Sequence, residues 1–136
     1  MTSGGTHVLP GQVMSVRTRR ALERHGIRDP FHRSHQLTED DIRRSSLILA
    51  MEADHLRWMR RIHPQGAPLT GSLRRVVRDL GRTAGDLDAR VAALGLEDLA
   101  FEDWEEVVDP GGGEQPDFGA AADEISALVD RLVELL

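Results

Sequence analysis

Apolar residues recur along this chain at spacings that change from helical to strand-like, and each change marks an element. Leu73, Val76, Val77 and Leu80 fall at i, i+3, i+4 and i+7 with Arg74, Arg75 and Arg78 between them, and Gly81 follows. That is the stripe of an amphipathic helix closed by a residue free to leave the right-handed region. Leu87, Val91 and Leu94 mark a further short helix closed by Gly95. The segment from about Ala53 to Ile62 turns Leu56 and Met59 inward and Arg57, Arg60 and Arg61 outward, and Pro64 stops it. Ser15 can cap a helix running to about His25, with Gly26 as its terminator. Thr38-Glu39-Asp40-Asp41 has a capping-box pattern and opens a short helix through about Ser45. Asp117 can cap a last helix whose Ala121, Ile125, Leu128, Val129, Leu132 and Leu136 line one face.

Three stretches read as strands. Leu47-Ile48-Leu49-Ala50-Met51 is an uninterrupted apolar run bounded by polar residues, the pattern of a central parallel strand covered on both faces. Thr6 to Leu9 is a short β-like stretch ended by Pro10-Gly11. The acidic segment Leu99 to Val108 carries Phe101, Trp104, Val107 and Val108, and its end reads as a strand entering the loop Asp109-Pro110-Gly111-Gly112-Gly113. Arg28 to Ser34 reads as loop, because Pro30 forces Asp29 into an extended conformation. Strands alternating with helices predict an α/β fold, a parallel sheet flanked by helices. At 136 residues without an internal repeat the expectation is one domain, 1–136.

Composition narrows the chemistry. With 40% hydrophobic and 29% charged residues the chain is globular in type. It has no cysteine, which removes disulfides, thiolate zinc sites and any cysteine nucleophile of its own. The sequence has no apolar run of roughly 18 residues, and its first fifteen residues have neither a basic start nor an apolar stretch. The expectation is therefore a cytoplasmic protein with no membrane partner. All 17 basic residues are arginine: 16 of them stand against 10 acids in residues 1–90, and one against 13 acids in residues 91–136, giving the net −6. The arginines fall on the outer faces of amphipathic helices with few aromatic neighbours to stack on bases, so no nucleic-acid partner is expected.

His32 and His35 have a metal-like spacing, but no third ligand or carboxylate frame accompanies them, and no metal or other cofactor is expected. No G-x-S-x-G elbow occurs. Gly111 to Gly113 is followed by Glu114, Gln115 and Pro116, which suits a phosphate poorly. Asp109 is the position of interest. An Asp before Pro in a Gly-rich loop at the C-terminal end of a strand sits where α/β proteins place ligands, although Asp-Pro-Gly is also a simple turn sequence.

The order of short motifs carries a resemblance. Gly5-Thr6-His7, Gly11, Met14, His25-Gly26-Ile27, His32, Gln36-Leu37-Thr38, Leu47 to Met51 with His55-Leu56, and Asp109-Pro110 before a long C-terminal helix together resemble the low-molecular-weight protein tyrosine phosphatases, in their bacterial, actinobacterial-like branch. The resemblance implies a four-stranded parallel sheet of order 2-1-3-4 and hydrolysis of phosphotyrosine monoesters on tyrosine-phosphorylated proteins. It implies a cysteine nucleophile in a C-x-x-x-x-x-R phosphate loop, and it gives Asp109 the role of general acid. An aromatic residue commonly follows the Asp-Pro pair in that family, and here Gly111 stands there. The first strand, Cys-Arg loop and first helix that the family places ahead of Gly5-Thr6-His7 have no counterpart in this sequence. The chain as written is therefore expected to lack the family's hydrolysis. Two further readings are a non-catalytic phosphatase-like binding module and, in a longer chain with cysteines, an arsenate reductase. The sheet would lack a central strand, so the expectation is a misassigned start, direct pairing of Thr6 to Leu9 with Leu47 to Met51, or self-association through an exposed sheet edge.

Overall fold

The computed structural model describes residues 2–136 as two compact units. The first comprises the chain up to Leu37 together with Asp109–Ala127, and the second comprises Thr38–Val108 and Leu128–Leu136. Six helices are described: α1 (Val16–Glu23), α2 (Glu39–Arg43), α3 (Ala53–Ile62), α4 (Leu73–Asp79), α5 (Leu87–Ala93) and α6 (Gln115–Leu135). Two strands, β1 (Ile48–Ala50) and β2 (Thr70–Ser72), pair in parallel with Ile48 opposite Thr70, Leu49 opposite Gly71 and Ala50 opposite Ser72. This is the α/β arrangement expected, a parallel sheet with α3 and α4 packed on it.

The second unit holds most of the core. Leu73, Val76, Val77 and Leu80 are all buried, as their spacing predicts, and Ile42, Leu56, Trp58, Met59, Val91, Leu96 and Val107 join them. The Ser72 hydroxyl accepts the Arg75 amide at 3.1 Å and so caps α4. In the capping box of α2, Thr38 accepts the Asp41 amide while the Asp41 carboxylate accepts the Thr38 amide at 2.8 Å. Arg90 donates to the carbonyls of Leu80, at 3.2 Å, and Leu135, at 2.8 Å, and so satisfies groups at the ends of two helices.

Strand β2 escapes the sequence pattern because Thr-Gly-Ser is a turn composition. Its place in the core comes from close packing. A Cβ on Gly71 would lie 2.9 Å from Val76 Cγ2 and 3.0 Å from Leu96 Cδ2. Gly71→Ala is therefore expected to destabilise the second unit by about 1–3 kcal/mol through overpacking. A urea melt whose midpoint does not fall would contradict that packing.

Two expected strands do not form. Around Thr6 to Leu9 the ordered pairing is a single parallel bridge from Gly5 to Gln36. The Gln36 side chain takes the place of a ladder there, donating to the Thr6 carbonyl at 3.0 Å and accepting the Val8 amide at 3.2 Å. Near Val108 the chain makes one strand-like bond, from the Val107 amide to the Met51 carbonyl at 2.9 Å, and is otherwise irregular after a 3₁₀ turn at Asp103–Glu105. Among the described residues β1 has β2 as its one strand neighbour, and Leu47, Ile48 and Leu49 stay half-buried where every residue of β2 is buried.

The first unit is held more by polar contacts than by a core. Ser15 caps α1 by accepting the Thr18 amide at 3.0 Å. Gly26, at φ 72°, closes the helix and lets the Ile27 amide reach the Leu22 carbonyl at 3.1 Å. Arg17 meets Glu114 at 3.2 Å, and Arg24 and His25 converge on Asp123 at 3.3 and 2.8 Å. Asp117 acts from inside the first turn of α6, its carboxylate accepting the Glu114 amide at 2.7 Å. Of the apolar face proposed for α6, Leu132 is buried in the second unit, whereas Leu136 is exposed.

Candidate functional site

Asp109 stands at the start of the loop that leads into α6, and its carboxylate is exposed. Asp109 Oδ1 accepts the Gly111 amide at 2.9 Å, the local turn that Asp favours. A Cβ on Gly111 would lie 3.0 and 3.2 Å from the two Asp109 carboxylate oxygens, so the glycine gives the carboxylate room that a larger residue would take. Gly112, at φ 80°, carries the turn on, and the Gly113 amide closes it on the Pro110 carbonyl at 2.9 Å. Turn and candidate acid thus coexist: one carboxylate oxygen is used locally, and the side chain remains open to solvent.

The histidines are dispersed in role. His25 is bound to Asp123, His32 Nδ1 lies 3.9 Å from Asp29 Oδ2, and His55 accepts the Met51 amide at 3.4 Å. Among the described residues, no group of three or more His, Cys, Asp or Glu side chains is placed to hold a metal ion. No described helix is long and apolar enough to cross a membrane.

Sequence periodicity missed a charged cluster inside the second unit. Glu105 and Arg75 are 1% and 9% exposed. Glu105 Oε1 accepts from Arg75 Nη2 at 2.5 Å and from the Glu102 amide at 3.0 Å, while Oε2 accepts from the Ser72 hydroxyl at 2.5 Å. Arg75 also reaches Glu102 at 3.0 Å and the Ala100 carbonyl at 3.3 Å. The guanidinium groups of Arg75 and Arg78 lie 5.3 and 4.1 Å from the Trp104 ring centre, and Trp104 Nε1 donates to Glu102 at 2.7 Å. Burial alone would push the Glu105 carboxyl up. The hydrogen bonds from Arg75, Ser72 and the Glu102 amide, with the Arg75 charge, outweigh it and hold Glu105 below the ordinary carboxylate range. The same bond to Glu105 raises Arg75 against its own burial. Arg75 thus departs from the solvated arginines expected on helix surfaces; the one available signal was the Ser72 cap directly before Leu73, which fixes the first turn that carries it.

The sequence profile of "Low molecular weight phosphotyrosine protein phosphatase" matches residues 1–136. The chain is 29% identical over 134 residues to the "Protein-arginine-phosphatase" of Geobacillus stearothermophilus, covering 98% of this chain and 74% of that protein. The solved structure of the YwlE arginine phosphatase from the same organism superposes with a TM-score of 0.75 at 28% identity, over 98% of this chain and 71% of that one. A low molecular weight protein tyrosine phosphatase from T. tengcongensis gives a TM-score of 0.75 at 25% identity, over 99% of this chain and 76% of that one. On the match along its whole length, the chain belongs to the low molecular weight phosphotyrosine protein phosphatase family.

Proposed function

We propose that the chain is a cytoplasmic phosphatase-family domain for phosphorylated protein side chains, in which Asp109 holds the general-acid position and the family's cysteine nucleophile is absent. Asp109 carries this reading: it is an exposed carboxylate in an Asp-Pro loop, the place the family resemblance assigns to the acid. In such a reaction a nucleophile attacks phosphorus, the bond from phosphorus to the leaving atom breaks, and Asp109 gives that atom its proton. The leaving atom is a phenolic oxygen in phosphotyrosine and a guanidine nitrogen in phosphoarginine. The latter enters because a relative at 29% identity is named an arginine phosphatase. Gly111 leaves no aromatic side chain after Pro110 to stack on a tyrosine ring, which suits a substrate without one.

With no cysteine among its 136 residues, the chain is assigned no turnover of its own. An unactivated serine or threonine hydroxyl is a far weaker nucleophile than a thiolate at neutral pH. Incubation with an aryl phosphate such as para-nitrophenyl phosphate is expected to release product at the buffer rate, and turnover above it would overturn this half of the reading. A second reading, a binding module that associates with a partner or a second copy through the sheet edge, is favoured by the half-buried apolar residues Leu47 to Leu49 beside β2. Light scattering across a hundredfold range of concentration would then show association, and a constant monomer mass would remove self-association.

A further inference from the structure

The first unit contains a cavity of about 90 Å³ lined by Val13, Met14, Arg19, Asp29, Pro30 and His32. A water needs roughly 10–15 Å³ on such a measure, so the space admits several, or one small oxyanion. The second unit's cavity beside Ser72 and Glu105, about 10 Å³, has room for one water.

The walls of the larger cavity are set by the chain itself. Asp29 Oδ1 accepts the Phe31 amide at 3.1 Å, and Arg33 donates to the carbonyls of Pro30 and His32 at 3.1 and 2.7 Å. Val13 bridges Arg33 in antiparallel fashion, which ties the two apolar sides together. Two nitrogen-bearing side chains from separate segments then meet in one concavity: Arg19 from α1 and His32 from the loop. Among the described residues the Arg19 guanidinium has no ion pair or side-chain hydrogen bond. The one carboxylate present, Asp29, accepts the Phe31 amide on Oδ1, and its Oδ2 lies 3.9 Å from His32 Nδ1. Val13, which lines the cavity with Met14 and Pro30, is 65% exposed, an apolar surface in the same concavity as an unpaired cation. Apolar walls with a few convergent polar groups are the usual composition of a ligand site.

We propose that this cavity binds a small amphipathic oxyanion, an aryl phosphate or aryl carboxylate, with its charged head on Arg19 and His32 and its apolar body against Val13, Met14 and Pro30. The proposal is independent of the role given to Asp109, because binding and not turnover is read. The test is a ¹H–¹⁵N NMR titration of the whole chain with phenyl phosphate, benzoate, inorganic phosphate and phenol. Saturable shifts centred on Val13, Arg19 and His32 are expected. Phenyl phosphate or benzoate should bind at least tenfold more tightly than inorganic phosphate or phenol, and the stronger of the two identifies the head group. Arg19→Met should weaken that ligand about tenfold, while Arg20→Met, the same charge change one residue along the exposed face of α1, should leave it unchanged. Shifts elsewhere, phenol binding as well as the anions, or equal losses in the two arginine variants would overturn the proposal.

Discussion

Glu105→Ala is expected to destabilise the second unit by about 3 kcal/mol or more, the scale of breaking a buried ion pair by removing one partner. The substitution strips Arg75 of its shortest bond and leaves the Ser72 hydroxyl without its acceptor, both at buried positions. Against a typical total of about 5–15 kcal/mol this is a large fraction, so the variant should be followed by urea unfolding at low temperature. Glu105→Gln keeps an acceptor for Ser72 and should lose less. The pH dependence has a definite sign. Because Glu105 is held below its ordinary range when folded, its contribution is fully present above the unfolded carboxylate value of about 4.3. It is lost as pH falls through the lower, folded value. The gap in stability between wild type and Glu105→Gln should therefore be widest near neutral pH and narrow below pH 4 or so. A gap that does not change with pH would mean that Glu105 contributes by shape and not by charge.

The second large effect concerns Asp109. A strand–loop–helix segment with the C-x-x-x-x-x-R pattern, joined ahead of Thr2, is expected to confer aryl-phosphate hydrolysis on this chain. In that background Asp109→Asn should lower kcat by about 10²–10⁴-fold, the usual contribution of a positioned proton donor. The loss should shrink for substrates whose leaving group needs no proton, so a series of phenyl phosphates of falling phenol pKa separates an acid from a residue that merely holds the loop. A uniform loss across the series would assign Asp109 to the turn it makes with the Gly111 amide.

The parts of the fold that were legible in the sequence share one property, that the signal and the structure are both local. The stripe Leu73, Val76, Val77, Leu80 is buried as spaced, the Thr38–Asp41 box forms both of its bonds, and Gly26 and Gly95 sit at positive φ where helices end. What was missed depends on partners distant in sequence. Thr70-Gly71-Ser72 looks like a turn and becomes a strand because β1 offers it a ladder and Leu96 and Val76 pack against its glycine. Val107 looks like part of a strand but makes one bond to Met51 and no ladder. Arg75 looks solvated until Glu105, thirty residues later, brings a carboxylate into the core. Asp109 stands out in the sequence by its neighbours alone, and the structure shows it as an exposed carboxylate that accepts the Gly111 amide.

The packing of Trp104 against Arg75 and Arg78 also has an optical consequence. The chain has no tyrosine and two tryptophans, so its near-ultraviolet emission comes almost wholly from Trp58, whose ring meets His63 at 5.0 Å, and from Trp104. Replacing Trp58 by phenylalanine leaves one fluorophore, seated on two guanidinium groups and bonded to Glu102, whose colour and intensity report directly on whether the buried charges around Glu105 are still assembled.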